Sequence, residues 1–314
     1  MQRRAQCRSV KTLLDRALQF CPACIRLLFL AAAACATSTS AQEAKLVAAE
    51  TAIQQRIANS RADVAVYFKT LAGKAEWSTR PDDVFHAAST MKVPVMIELF
   101  HQVKQGKLKL EDRIVVKNQF HSIVDGSPYS LSAADDSEGD LYKAEGQSRT
   151  LRELCELMIT VSSNFATNLL IEKLGVETIR ATVHTLGADG VAVLRGVEDG
   201  KAFAKGLNNT TTARGLATLL EAIARGKAVD AARSQTMIAI LARQKFNEGI
   251  PAGLPAGIAV AHKTGEITKI HHDAAIVFAQ RPYVLVILVR GLADNKQSAA
   301  LIKDISRELY WATQ

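Results

Sequence analysis

Strand-like patterns occur at both ends of this 314-residue chain, and helical patterns fill its middle. Near the N-terminal end, Val64, Val66 and Phe68 alternate with a period of two, as in a half-buried strand, and residues 75–77 offer a hairpin partner. Three more strands are predicted near the C-terminal end, at 258–264, 274–279 and 283–289. Strands from the two ends must meet to bury their apolar faces, so this order strongly limits the possible folds.

The order of the elements predicts two lobes. An α/β lobe would combine residues 42–94 and 228–314, and an all-helical lobe would span 95–227. Clefts between lobes are favoured ligand sites, so we expect a site where they meet.

Residues 1–41 resemble an export signal. Basic residues up to Arg26 precede a short apolar run, and Thr39-Ser40-Ala41 forms a small-residue cleavage site. We therefore expect cleavage near Ala41 and a periplasmic or secreted protein, with no membrane attachment afterwards. Cys35 leaves lipoprotein processing open, although Ala32 stands where a leucine is expected.

Net charge and cysteine content limit the kinds of partner and the covalent links that we expect for this chain. The formal charge is +8, but residues 1–41 hold six basic side chains and one acidic one, which leaves +3 for the rest. No basic run with interleaved aromatics remains, so nucleic acid is not an expected partner. Cys155 is the one cysteine after residue 41, which predicts a buried thiol and no internal disulfide. We expect a monomer.

Ser89 and Lys92 form the first candidate pair. If Ser89 opens the apolar helix that follows, Lys92 lies one turn later on the same face, within reach of the hydroxyl. A serine needs an adjacent base at neutral pH, and a desolvated lysine can be that base. S-x-x-K alone is a weak signal that chance also produces.

Two further motifs follow in order. An S-x-N motif begins at Ser162, 73 residues after Ser89, and a K-T-G motif begins at Lys263, another 101 residues on. Together the three motifs resemble those of the penicillin-recognising serine hydrolases, most closely the class A β-lactamases. The resemblance covers nearly all of the chain after residue 41. It implies an α+β fold in which helices flank an antiparallel sheet beside a helical lobe, and it implies neither a metal nor a cofactor. It also implies that the protein acts on a small-molecule β-lactam.

The resemblance also implies roles for the motif residues. Ser89 would attack the β-lactam carbonyl, with Lys92 as the local base or sharing that task with a water-linked carboxylate. Ser162 would relay a proton to the departing ring nitrogen, and Asn164 would hold the amide side chain of the substrate. Lys263 would supply positive potential beside Ser162.

The K-T-G strand would bind the substrate. Thr264 can hydrogen-bond the substrate carboxylate, and Gly265 and Glu266 continue the strand beside it. The backbone N–H groups of Ser89 and Glu266 would form the oxyanion hole. The Glu266 side chain adds a negative charge that would disfavour anionic substrates unless it points away.

Hydrolysis of the acyl-enzyme needs a second base. The family uses a glutamate in an E-x-x-L-N pattern, and the matching stretch here, residues 195–203, contains Glu198, 12 residues before Thr210. No Leu-Asn pair follows, the loop is shortened, and Asn209 replaces the family's aspartate. Glu198 is predicted as the deacylation base, and a plain surface acid is the alternative.

Three functions stay open. The first is a β-lactamase that deacylates through Glu198. The second is a DD-peptidase or esterase of the same fold, in which Glu198 is idle. The third is a sensor-like module that stays acylated. Ser163 stands in place of the middle aspartate of S-D-N, so a carboxylate that organises the lobe interface in the family is absent, which bears on the efficiency of the enzyme.

Overall fold

The computed structural model describes residues 43–72 and 75–314. The predicted export segment over residues 1–41, with its cleavage site and Cys35, lies outside the described residues and stays a prediction.

Five strands form one antiparallel sheet in the order β2-β1-β11-β10-β9. Their bounds are β1 Asp63–Thr70, β2 Glu76–Thr79, β9 Ala259–Ile267, β10 Ile270–Phe278 and β11 Tyr283–Arg290. β1 pairs along its whole length with β11, so the strands predicted at the two ends of the chain do meet. Among the described residues β9 is an edge strand, so one side of the K-T-G motif has no strand neighbour there.

Helices cover the sheet and fill the middle of the chain. The first, α1, spans residues 43–60. The others are α2 Lys92–Lys104, α3 Leu151–Thr160, α4 Asn164–Leu174, α5 Val176–Thr185, α6 Gly200–Ala204, α7 Ala213–Ala224, α8 Ala231–Leu241 and α9 Asn295–Thr313. With the antiparallel sheet, these helices confirm the predicted α+β class.

Residues 95–227 also contain short strands that the sequence did not predict. The pairs are β4 Arg113–Val115 with β7 Ser148–Thr150, β5 Phe120–His121 with β6 Pro128–Tyr129, and β8 Thr210–Thr211 with the earlier β3 Phe85–His86. The β3–β8 pair brings the segment before Ser89 against the segment that follows Glu198. The exact division into lobes at residues 94 and 227 stays a prediction.

The sheet is buried on both faces. Ala65 and Tyr67 of β1 belong to the larger apolar cluster with the central helices, whereas Val64, Val66 and Phe68 belong to a second cluster with α9. The period-two pattern therefore predicted the strand but not its full burial, because helices pack on each side. Cys155 is a fully buried free thiol of α3, and burial raises its pKa to about 12.

Candidate active site

Ser89 lies in a 3-10 turn, Ala88–Met91, which leads directly into α2. It therefore precedes the α-helix instead of opening it. Ala88 has a φ of 45°, a left-handed conformation that is strained for a residue with a side chain. Strand β9 passes so close that a Cβ on Gly265 would lie 3.1 Å from the Ser89 backbone nitrogen. Glycine at that position lets the K-T-G strand approach the serine.

Lys92 is the first residue of α2 and is completely buried. Its Nζ donates to the Ser162 carbonyl oxygen at 2.6 Å, to the Ser162 Oγ at 3.2 Å and to the Asn164 Oδ1 at 2.8 Å. These bonds tie the S-x-x-K motif to the S-x-N motif across 70 residues of sequence.

The Ser162 hydroxyl also accepts a hydrogen bond from a second lysine, Lys263. The Lys263 Nζ donates to the Ser162 Oγ at 2.9 Å and to the Thr264 carbonyl oxygen at 2.8 Å. A serine oxygen has two lone pairs, and here each faces a lysine amine. The Ser162 proton is therefore available to a third partner, as a proton relay requires.

Burial shifts the pKa of both lysines downward. Desolvation lowers the pKa of Lys92 to about 7, although the negative charges of Asp136 and Glu198 oppose that shift. Desolvation also holds the pKa of Lys263 well below its usual value, and the nearby Lys92 lowers it further. Near neutral pH, part of the Lys92 population is uncharged and can accept a proton.

Glu198 meets the same cluster through Asn164. The Asn164 Nδ2 donates to the Glu198 Oε1 at 2.7 Å, while its Oδ1 accepts from Lys92. Glu198 is exposed at the cavity wall, yet the surrounding protein partly desolvates its carboxylate and raises its pKa. The charges of Asp136 and Asp135 raise it further, whereas Asn164 and Lys92 oppose the shift.

The backbone is anchored on each side of Glu198. The Asn168 Oδ1 accepts from the Val197 N–H at 2.7 Å, and its Nδ2 donates to the Val197 carbonyl at 3.0 Å. The Asp199 carboxylate accepts from the Ser122 hydroxyl at 2.9 Å and the Ile123 N–H at 3.0 Å. Glu198 itself has a φ of 62°. Its left-handed backbone is thus held by the residues around it.

The side-chain amide of Asn209 forms hydrogen bonds with the backbone where an aspartate would pair with Arg195. Its Oδ1 accepts from the Leu194 and Arg195 N–H groups at 2.8 and 3.1 Å, and its Nδ2 donates to the Arg195 carbonyl at 3.0 Å. The Arg195 guanidinium instead donates to the carbonyl oxygens of Leu207 and Gly196 and to the Asn208 Oδ1. Loss of the expected aspartate therefore leaves this loop well bonded.

Two cavities meet at Ser89 and Asn164. The first, of about 480 Å³, has a largely apolar wall and includes Glu198, Phe203 and Ile267. The second, of about 760 Å³, is more polar and includes Ser162, Thr264, Lys269, His271 and Lys296. A substrate seated over Ser89 can extend into both.

The Glu266 side chain lies between the cavities, at the edge of each. It is exposed, and its Oε1 accepts a hydrogen bond from the Asn295 Nδ2 at the start of α9. Glu266 is thus partly engaged away from the serine, but its charge stays at the rim of the site.

The structure brings the residues that the sequence singled out into one cluster: Ser89, Lys92, Ser162, Asn164, Glu198, Lys263, Thr264, Gly265 and Glu266. Within it, the Lys92 amine bonds Ser162 and Asn164, and its direct contact with the Ser89 hydroxyl stays a prediction. Sequence reasoning missed Asn168, although its helix is part of the stretch that carries the resemblance. Within residues 43–72 and 75–314, no group of three or more acidic, histidine or cysteine side chains is placed to hold a metal. Likewise, no helix in that part of the chain is long and apolar enough to cross a membrane.

A family model described as the beta-lactamase enzyme family matches residues 48–313. The chain belongs to this family. Among curated relatives, a beta-lactamase of Bacillus licheniformis is 27% identical over 242 residues, which are 73% of this chain and 72% of that protein.

Solved structures of the family agree with the fold. A beta-lactamase of Sphaerobacter thermophilus is 27% identical with a TM-score of 0.71, and the match covers 87% of this chain and 97% of that one. PBP-A is 28% identical with a TM-score of 0.73, covering 85% and 96% respectively. The chain is therefore a serine hydrolase of the β-lactamase fold.

Proposed function

We propose that this protein is an exported class A β-lactamase, which hydrolyses the β-lactam amide through a covalent acyl-enzyme on Ser89. The observation that carries the proposal is the position of Asn164. Its amide joins Lys92 to Glu198, and Ser89 and Glu198 line one cavity. A base for acylation and a base for deacylation therefore share one hydrogen-bonded unit.

In the acylation step, the Ser89 Oγ attacks the β-lactam carbonyl carbon while its proton passes to neutral Lys92. The C–N bond of the ring then breaks, and the ring nitrogen takes a proton from Ser162. Ser162 regains a proton from Lys92, whose Nζ lies 3.2 Å from its Oγ. Lys263 holds Ser162 in place and favours the negative charge of a substrate carboxylate, which Thr264 can hydrogen-bond.

In the deacylation step, Glu198 takes a proton from water, and the water oxygen attacks the ester carbonyl carbon. The ester bond breaks, and the proton held by Glu198 passes by way of neutral Lys92 to the Ser89 oxygen, so that Glu198 is ionised and Lys92 is neutral again. During both attacks, the N–H groups of Ser89 and Glu266 would stabilise the oxyanion, as the close approach of Gly265 to Ser89 favours.

A relative supports the acylation step of this reaction. A variant of PBP-A that is 29% identical to this chain, with a TM-score of 0.72, is described as an acyl-enzyme complex with penicillin G. Export through the segment over residues 1–41 and action as a monomer on a small-molecule β-lactam complete the proposal. The periplasm is the expected location.

Intact-protein mass spectrometry tests the function directly. Protein recovered from the periplasm of an expressing bacterium is mixed with penicillin G, sampled over time, and assayed in parallel with a chromogenic cephalosporin. We expect the mass of a chain that begins near residue 42. We also expect a covalent adduct that forms and then disappears while hydrolysed product accumulates. Ser89→Ala abolishes the adduct, whereas Ser78→Ala, on the opposite edge strand β2, leaves it unchanged.

The second candidate is a penicillin-binding peptidase. The likeness to PBP-A favours it, and a lasting adduct without product would establish it in place of the β-lactamase. Absence of any adduct would contradict both and point to another acyl substrate.

A further inference from the structure

Asp136 is an acidic residue of the loop over residues 132–141, and its carboxylate lies at the start of α4. Its Oδ1 accepts from the Asn164 N–H at 3.1 Å, and its Oδ2 accepts from the Phe165 N–H at 2.8 Å. The Tyr142 hydroxyl donates to Oδ2 at 3.0 Å, and the Ser163 hydroxyl donates to it at 3.3 Å. The Glu138 N–H also donates to Oδ1 at 3.2 Å, so one carboxylate collects five donors beside the S-x-N motif.

These contacts hold the backbone from which the Asn164 side chain projects. Asn164 is the first residue of α4, so its N–H and that of Phe165 have no partner within the helix. A carboxylate is the strongest acceptor available to such groups, and it also favours the positive end of the helix. Asn164 in turn bonds Lys92 on one side and Glu198 on the other.

We infer that Asp136 is a positioning residue for the reaction, which fixes Asn164 between Lys92 and Glu198 and does from a distant loop what a carboxylate at position 163 would do locally. The inference rests on the proposed function, but its geometry is independent of the substrate. Ser163 is completely buried and caps α4 by accepting from the Ala166 N–H at 3.1 Å. An aspartate at that position can serve as the same cap and place its second oxygen near the Asp136 site.

A charge exchange between positions 136 and 163 tests this inference. Asp136→Asn removes the charge and puts an amide N–H against donors, so we expect acylation by penicillin G to slow at least about tenfold. Ser163→Asp alone places two carboxylates together and also slows it. The double variant Asp136→Asn/Ser163→Asp restores acylation to within about threefold of the wild type. Asp140→Asn, an exposed change in the same loop, is the matched control and leaves the rate unchanged.

The pH profile separates positioning from simple stability. Lys92 faces Asp136, Glu198 and Lys263, and Glu198 faces Asp135, Asp136 and Lys92. Removing the Asp136 charge lowers the pKa of both Lys92 and Glu198, so the low-pH limbs of acylation and deacylation move to lower pH. The double variant moves them back, whereas a defect in stability alone would leave both limbs in place.

Thermal unfolding provides a readout that needs no substrate. Each single variant is expected to melt at a lower temperature than the wild type, and the double variant is expected to recover most of the loss. Acylation of Asp136→Asn at the wild-type rate with an unshifted profile would overturn the inference while the proposed function stands. Recovery of the melting temperature without recovery of acylation would reduce Asp136 to a structural role. A wild type that penicillin never acylates would refute the proposed function, and the melting temperatures would still decide whether positions 136 and 163 are coupled.

Discussion

Asn164 is the residue on which both halves of the proposed reaction depend. Its carboxamide accepts from the acylating base and donates to the deacylating one, so the orientation of a single amide sets both distances. An aspartate there could not donate to Glu198, which explains why the S-x-N motif needs an amide at this place.

The variant Glu198→Gln should slow deacylation without slowing acylation. Glutamine can still accept the hydrogen bond from Asn164, so the site keeps its geometry, but it cannot take a proton from water. We expect acylation within about twofold of the wild type and deacylation slowed about 100-fold or more. Stopped-flow acylation and decay of the adduct by mass spectrometry measure the two rates.

Glu177→Gln, on the exposed face of α5, is the matched control for this change. Steady-state turnover by Glu198→Gln at the wild-type rate would assign the deacylation base to another residue.

The lowered pKa of Lys92 predicts the pH dependence of acylation. Only the neutral amine accepts the serine proton, and its pKa is about 7. Acylation should therefore rise with pH up to about 7 and level off above it, whereas deacylation requires ionised Glu198, whose raised pKa sets its own lower limb. Single-turnover rates across a pH series measure both. An acylation rate that stays constant from about pH 5 to pH 9 would exclude Lys92 as the base.

At the scale of elements, the segment around Glu198 depends on α4. Asn168 is almost fully buried and makes two hydrogen bonds to the Val197 backbone. A Cβ on Gly196 would lie 2.7 Å from the Asn168 Oδ1, so the packing leaves no room for a side chain there. The helix that begins with Asn164 therefore also fixes the backbone beside the carboxylate.

Asn168→Ala tests this anchoring. Loss of both bonds leaves the Val197 N–H unpaired and its carbonyl bonded to the Tyr129 hydroxyl at 3.3 Å, which releases the backbone next to Glu198. We expect deacylation to slow about tenfold with acylation nearly unchanged, and unfolding free energy to fall by about 1–3 kcal/mol. Single-turnover kinetics and chemical denaturation measure these effects, with the exposed Asn59→Ala of α1 as control. Equal slowing of both steps would contradict a role limited to the Glu198 segment.

The sequence predicted those parts of the site that lie within short motifs. Ser89 and Lys92 are one turn apart, and Lys263 is held by a strand, so local periodicity was enough to place them. Asp136 and Asn168 act across 28 and 29 residues through loop conformations that no periodic pattern encodes. The sequence therefore predicted that Ser163 leaves this place without a carboxylate, whereas Asp136 supplies one from another loop.

At the scale of the whole molecule, the fold brings two fully buried lysines to one serine. Burial of an ammonium opposes folding, and a shift in the pKa of Lys92 from 10.5 to about 7 corresponds to a cost of about 5 kcal/mol. The large apolar clusters on the two faces of the sheet must offset this cost. Function and stability are thus in conflict at this residue.

The variant Lys92→Met measures the cost of burying this lysine, because the difference in unfolding free energy between variant and wild type should depend on pH. Because the pKa of Lys92 is lower in the folded state than in the unfolded chain, the cost is complete below about pH 7 and disappears as the pH rises towards 10.5. The stability of the variant relative to the wild type should therefore be about 2–3 kcal/mol more favourable at pH 6 than at pH 9. The hydrogen bonds that methionine loses add a penalty that is the same at both pH values. Chemical denaturation at the two pH values gives the difference, and the exposed Lys107→Met should show none. A difference that does not change with pH would mean that Lys92 enters the fold without the proposed desolvation.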